Sequence, residues 1–406
     1  MKLFADRIGL LGTENAFKLG PRIRAIEKRQ LDANNTHYCD PQGLISFRKA
    51  IAKYVGAKRD LKVKPEHVVV FPGAKPPIGL CQQAYVDAGD EVIYPSPGFP
   101  IYESFTRYTN VKPVPMHLDE AKGFSLTGAE VEPLITAKTK LIYINFPSNP
   151  TGGVASREQL QEIADVIQRK CDSGVRVYSD EVYEEILFDG NRHVSIASMK
   201  GMQDRTIIVS GHSKSFSFTG GRIGYAVFPT EAEAEVFKNL NINYFSCVPP
   251  FIQEACREAL ESPKREAAIG AMVKTFQTRR DLVVDGLNQI PGIHCHRPMG
   301  AFYVFPNVEG ACRCLGIVNR YEELSPEARL RSSPAGLFQG FLLDRYHVAT
   351  LDRKSFGAIG SEGKHYLRIS TATATEDLQE AVVRIKTAAS DRAGFDSYFV
   401  TVRDRL

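Results

Sequence analysis

The stretch Ser210-Gly211-His212-Ser213-Lys214-Ser215-Phe216-Ser217-Phe218-Thr219-Gly220-Gly221-Arg222-Ile223-Gly224-Tyr225 decides how the rest of this 406-residue chain is read. A β-branched run, Thr206-Ile207-Ile208-Val209, precedes it and reads as a buried strand. A second apolar run, Tyr225-Ala226-Val227-Phe228, follows. Between them one lysine and one arginine stand in a loop of glycines and hydroxylated residues. A loop lysine whose surroundings lower its pKa is an amine able to capture a carbonyl. The arginine eight residues later suits a fork on a phosphate. Taken alone, each reads as a solvated charge; their meaning depends on what the other strand ends carry.

Working outward, strands and helices alternate. Val68-Val69-Val70-Phe71 reads as a strand ending in Pro72-Gly73-Ala74-Lys75, with a helical stretch to Tyr85. Glu91 to Tyr94 is a strand ending in Pro95-Ser96-Pro97-Gly98-Phe99-Pro100. Lys140 to Ile144 ends in Asn145-Phe146-Pro147-Ser148-Asn149-Pro150-Thr151-Gly152-Gly153. Ser156 with Gln159 reads as a capping box opening a helix to about Arg169. Val175 to Tyr178 is a strand followed by Ser179-Asp180-Glu181-Val182-Tyr183. This alternation predicts an α/β fold with a mostly parallel sheet. Such sheets bind ligands at the carboxyl ends of their strands, where each of these loops lies. The turn at Gly73 suits a phosphate, because glycine permits close backbone approach and the helix start offers N–H groups.

Upstream, helical spacing runs from Met1 to Gln30 with Phe17, Leu19, Ile23 and Ile26 apolar. Gly43 to Val55 reads as an amphipathic helix. After about Leu287 the texture changes to α+β. Strands are expected at Gly300 to Phe305 and Lys364 to Ser370, and helices at about Gly336 to Arg345 and Thr375 to Ala388. The charged stretch from Cys312 to Ala335 reads as an excursion. The expected division is a large cofactor-binding domain over 38–287, with 1–37 and 288–406 forming a smaller domain and N-terminal segment.

Hydrophobic residues make up 43% and charged residues 24%, enough for a sizeable core, and the net charge of +4 is too mild and scattered to argue for nucleic acid. Eight cysteines without zinc spacing, including Cys312-Arg313-Cys314 and His294-Cys295-His296, read as free thiols in a reducing cytoplasm with no metal site. No apolar run is long enough to span a membrane.

The strand ends offer chemistry for one ligand carrying an aldehyde and a phosphate, pyridoxal 5'-phosphate. Asp180 suits a pyridinium nitrogen; the plain alternative is a helix N-cap. Asn149 and Tyr183 suit a phenolate oxygen. Phe99 suits a ring face; the plain alternative is a core aromatic.

Four stretches resemble the class I/II aminotransferases, the fold type I pyridoxal-phosphate enzymes related to aspartate aminotransferase. They are Asn145 to Gly153, Tyr178 to Tyr183, Ser213-Lys214 with Arg222 to Tyr225, and Tyr366 to Ser370. The resemblance runs from Tyr38 to about Thr387. It implies Lys214 as the Schiff-base lysine, Asp180 at the ring nitrogen, Tyr183 and Asn149 at the ring oxygen, and Phe99 stacked on the ring. Arg222, Ser213 and the backbone of Gly73, Ala74 and Lys75 would form the phosphate cup. Tyr38 would reach the phosphate of a neighbouring subunit, making the active unit a homodimer with shared sites. Arg368 would clamp the substrate α-carboxylate. Ser96-Pro97 and Asn149-Pro150 fall where the family often has cis bonds.

The implied reaction is ping-pong transamination between an L-amino acid and a 2-oxo acid through a Lys214 aldimine. Lyase, decarboxylase or oxidase chemistry on the same cofactor stays open. So do a ligand-sensing module, although no helix-turn-helix precedes Leu31, and an inactive scaffold. The side chain of the substrate is not fixed; Arg297 is a candidate partner for a distal carboxylate. Two departures from the family stand out. Gly211 occupies a position where many members carry serine. Between the first helix and Tyr38, a strand, a loop of pattern x-x-G-x-P-D-F and a further helix have no counterpart, a shortfall of about 25 to 30 residues. The favoured reading is a mobile lid lost at the 30/31 junction. Gln30 and Leu31 would then lie farther apart than the roughly 3.8 Å of a trans peptide. The alternative is a real deletion and an open site.

Overall fold

A computed structural model describes residues 19–405. Among them, β1 (Val68–Phe71), β2 (Glu91–Ser96), β3 (Lys112–His117), β4 (Thr139–Asn145), β5 (Arg176–Asp180), β6 (Thr206–Gly211) and β7 (Gly224–Val227) form one sheet, ordered β1-β7-β6-β5-β4-β2-β3. The pairs β2/β3, β2/β4 and β4/β5 are parallel, and β1/β7 is antiparallel. Strands β1, β2, β6 and β7 are buried at every position, which is why they read as unbroken apolar runs rather than alternating ones. The second sheet joins β8 (Tyr303–Val304), β9 (Leu351–Asp352) and β10 (Leu367–Ser370) in the antiparallel order β8-β10-β9.

The expected α/β class holds, with differences in detail. Strand β3 carries Pro113 and Pro115, which hide its period. It is an edge strand, where proline is tolerated. Lys112 N–H donates to Asp90 O and Leu118 N–H to Ser96 O, so the even-numbered N–H groups face β2 and the two prolines point outward. At the other edge, Val70 N–H donates to Gln42 O, and the Gln42 and Asn241 side chains cap the carbonyls of Val68 and Val70. The strand expected over Gly300 to Phe305 shrinks to β8, because Ala301 adopts a left-handed φ of 58° just before it. The excursion from Cys312 to Ala335 is largely helical: Glu309–Cys314, Ile317–Glu322 and Pro326–Arg331 occupy most of it, with Ile317, Leu324 and Ala328 buried.

Contacts divide the chain into two compact units. One runs to Pro77 and resumes over Val209–Thr275; the other comprises Ile78–Ile208 and Phe276–Leu406. In the first, helix Ile45–Arg59 lays Phe47, Ile51 and Val55 against β1, each fully buried. Fully burying such side chains contributes roughly 1.5–3 kcal/mol apiece. In the second, the expected capping box is formed by Ser156 and Gln159, and helix Arg157–Lys170 buries Leu160, Ile163 and Ile167 with Ile142, Ile144 and Val177. A further core gathers Leu337, Phe338, Phe341, Leu378, Ile385 and Phe395 from the three last long helices.

Phe17, with the rest of the helical spacing upstream of Leu19, lies outside the described residues. Helix Leu19–Asp32 carries the chain through the junction that the lid reading would break. Ala33 N–H donates to Arg29 O and Asn35 N–H to Gln30 O across it, so Gln30 and Leu31 are joined within one helix. The expected break is absent from this helix, which leaves a real deletion as the reading to test. Among the described residues no helix is long and apolar enough to cross a membrane.

Candidate active site

Strand β6 ends at Gly211 and passes into a single turn, His212–Ser215, that holds Ser213 and Lys214 half-buried. His212 pins this turn. It is buried, stacks on Phe216 at 4.7 Å, and its Nε2 lies 3.2 Å from Cys256 O. Gly211 has its own reason to lack a side chain: a Cβ there would come within 2.9 Å of Ile223 O and Gly224 Cα. A serine would not fit between these two strands without moving one of them.

Because β7 runs antiparallel to β1, its first residue sits beside the end of β1, with Phe71 paired to Gly224. That register brings Arg222 to the Gly73 turn. Gly73 has φ +96°, and a Cβ on it would lie 2.5 Å from Arg222 Nη2; a Cβ on Gly224 would lie 2.5 Å from Ala74 N. Arg222 itself is left-handed at φ 51° and donates from Nη1 to Thr219 O at 2.7 Å. A non-glycine residue seldom holds that conformation unless its surroundings impose it. The following helix opens with Pro76 and Pro77, which have no N–H. The helix-start donors expected from the sequence are therefore fewer, leaving the amides of Ala74 and Lys75 within the turn itself. Lys75 is exposed, and Tyr38 stands 89% exposed.

In the other unit, β4 and β5 run side by side in parallel, with Asn145 paired to Asp180 at their carboxyl ends. Asp180 is buried. Tyr102 OH donates to its Oδ2 at 2.6 Å, and Asn145 Nδ2 donates to its carbonyl at 3.1 Å. Its N-cap contact to Val182 N is long, at 3.4 Å. Burial, and then the Asp180 charge, push the Tyr102 phenol well above its ordinary pKa, so it stays a donor. Asn149 is fixed through its N–H to Asn145 Oδ1 and accepts from Arg368 Nη1 at 3.1 Å. Tyr183 OH lies 3.0 Å from Tyr303 OH, and burial, with Tyr303 next, holds its pKa well up. Arg368 lies over the rings of Tyr303 (4.4 Å) and Phe356 (4.9 Å), and its Nε is buried with no hydrogen-bond partner. Phe99 is half-buried and meets Tyr102 edge-on at 5.8 Å. Ser96-Pro97 and Asn149-Pro150 are cis as expected, and Phe146-Pro147 is cis as well.

A sequence model of the family described as aminotransferase class I and II matches residues 10–385. The chain belongs to that family. It is 34% identical over 382 residues to the aspartate/prephenate aminotransferase of Cereibacter sphaeroides, covering 94% of this chain and 90% of the relative. It is 31% identical to the aspartate aminotransferase of Rhizobium meliloti, covering 96% of each. That second alignment spans 415 positions, more than this chain has residues, so the relative carries residues without a counterpart here. The aromatic aminotransferase from Pyrococcus horikoshii superposes with a TM-score of 0.82 at 33% identity, over 96% of this chain and 99% of that one.

In this aminotransferase several positioning groups escape a sequence reading. Tyr102 is three residues past Phe99 on helix Pro100–Tyr108, and nothing in the sequence marks which carboxylate it reaches. Glu181, buried beside Asp180, is held by Ser179 Oγ, Ser195 Oγ and His193 Nε2. Tyr303 and Phe356 become visible only once Arg368 is seen between them. Arg297, the candidate for a distal carboxylate, is paired instead with Asp281 and Asp285. Among the described residues no three His, Cys, Asp or Glu side chains gather as metal ligands, and all eight cysteines are free.

Proposed function

We propose that this aminotransferase moves an amino group between an L-amino acid and a 2-oxo acid, with pyridoxal 5'-phosphate as cofactor and ping-pong kinetics. The observation that carries the reading is Arg368. A guanidinium held over two rings, tied to Asn149 by one nitrogen and left with a buried, unpartnered Nε, suits a carboxylate that brings its own acceptors. The Gly73–Arg222 approach fits a phosphate in the same way, since the space a side chain would fill is where Arg222 and the turn converge. When bound, the cofactor supplies an electron sink for the substrate α-carbon.

The chain's own groups do the rest. Asp180, with Tyr102 donating to it, would pair with the ring nitrogen and hold it protonated. Tyr183 and Asn149 bond the ring oxygen, and Phe99 covers the ring face. Ser213, Arg222 and the backbone of Gly73, Ala74 and Lys75 hold the phosphate. The Lys214 amine would anchor the cofactor and carry the substrate α-proton as general base and acid. Tyr38, which projects into solvent, serves the phosphate of a second copy in a homodimer. Residues 38–287 act as the cofactor-binding domain and 288–406 as part of the smaller one. Eight free thiols fit a reducing cytoplasm.

The test is a single half-reaction on cofactor-loaded enzyme with aspartate, glutamate, phenylalanine, tyrosine and alanine as donors. The yellow absorbance should convert to that of the aminated cofactor, with release of the 2-oxo acid. Borohydride should fix the cofactor to Lys214, and Lys214→Ala should retain cofactor while losing turnover. Near-normal transamination by Lys214→Ala would overturn the assignment. Release of carbon dioxide or of ammonia without the 2-oxo acid would point to another reaction on this cofactor.

A further inference from the structure

We propose that the cavity walled by Arg353, Lys364, His117, Phe124, Phe305 and Tyr366 is a second ligand site, built for a small carboxylate with a flat apolar body. The cavity is about 360 Å³ and lies between the segment after β3, the residue following β8 and the segment that joins β9 to β10. It is distinct from the carboxylate clamp at Arg368.

One end is cationic and undercompensated. Arg353 is 1% exposed, yet its guanidinium donates only to neutral acceptors, Gly357 O at 2.7 Å and Ser96 Oγ at 2.9 Å. The side chains of Lys364 and His117 have no ion pair or hydrogen bond among the described residues. Burial, then the like charge of Arg353, lowers the Lys364 pKa; burial, then Lys364 and Arg353, lowers that of His117. Burial also pushes Arg353 down to about 10 despite the pull of Glu103 and Asp352. A buried charge without a paired partner is unfavourable, and an anion brought from solution relieves it.

The carboxylates on the wall are already occupied. Glu120 accepts from Tyr366 OH and lies 2.8 Å from His294 Nδ1. Glu130 pairs with Lys122, and Asp119 caps the turn at Ala121. Asp119 also acts on Lys364, and Glu362 on both Lys364 and His117, but only through longer-range attraction without an ion pair. The opposite wall is aromatic. Phe305 and Tyr366 stack at 5.0 Å and 3°, with Phe124 edge-on to both. Lys364 supplies the donors, Arg353 the fixed charge behind them, and the rings the surface for an apolar body. Ser96 Oγ also bonds Arg353, and Gly98 N–H donates to Phe356 O, so occupancy bears on the segment leading to Phe99.

Benzoate is the probe, titrated into cofactor-loaded enzyme and followed by the proton resonance of the His117 ring, assigned by its loss in His117→Asn. The expected result is a saturable shift with a raised His117 pKa, retained in Arg368→Lys and weakened by about tenfold or more in Lys364→Gln. A His117 shift that disappears in Arg368→Lys, or that Lys364→Gln leaves unchanged, overturns the proposal. Equally tight binding of inorganic phosphate, with the same dependence on Lys364, overturns the apolar part of the ligand class.

Discussion

Arg368 and Tyr102 are the residues whose surroundings say most about chemistry. Arg368→Lys keeps the charge but loses the planar fork over Tyr303 and Phe356. All amino donors should then lose kcat/KM alike, by roughly 10- to 100-fold, as steady-state kinetics across the donor panel would show. A loss confined to one donor would make Arg368 a side-chain selector. Tyr102→Phe removes the 2.6 Å donor to buried Asp180. A hydrogen bond to a charged group contributes about 1.5–3 kcal/mol, so the unfolding free energy should fall by that amount, read as a lower urea midpoint at an unchanged m-value, and cofactor should dissociate more readily. Arg368 is legible in the sequence because it sits in a quotable motif. Tyr102 is not, because its partner lies 78 positions away and only the strand order brings them together.

At the scale of elements, the fully buried strands declare themselves by β-branched runs and the helix Arg157–Lys170 by its capping box. Strand β3 stays hidden because two prolines break its pattern, and β9 because two residues carry no period. Helix Arg392–Val402 is missed for another reason: a core of the second unit claims Phe395 and Phe399, and that demand is invisible until the core exists. The short helix Gly128–Val131 gives a pH prediction. Burial works against ionised Glu130, yet hydrogen bonds from Lys122 and Thr127 bring its pKa down from 4.5 to about 2. A depressed carboxyl adds stability that is fully present above its unfolded value and lost as pH falls through the folded one. Wild type should therefore lose this increment between about pH 4.5 and 2. Urea unfolding of Glu130→Gln should show a shallower loss over the upper part of that window; identical slopes would refute the linkage.

For the whole molecule, helix Leu19–Asp32 runs unbroken through Gln30 and Leu31, so among the described residues the strand, loop and helix that the family resemblance implies before Tyr38 have no counterpart. Substrate should be held loosely, with KM at or above about 1 mM, the upper end of the ordinary range, while cofactor survives dialysis. Micromolar KM values would mean that another segment, or a second copy, closes the site. The two prolines of β3 have a consequence of a different kind. An open sheet edge with free N–H groups is a template on which other chains add strands and precipitate. Here one edge is covered by Gln42 and Asn241, and the other has Pro113 and Pro115 where outward donors would be. Concentrated solutions should therefore stay clear under mild heating. A Pro113→Val, Pro115→Val double variant should keep its fold and its turnover yet scatter light at lower temperature and concentration, because restoring two outward donors re-creates the sticky rim that this sequence has removed.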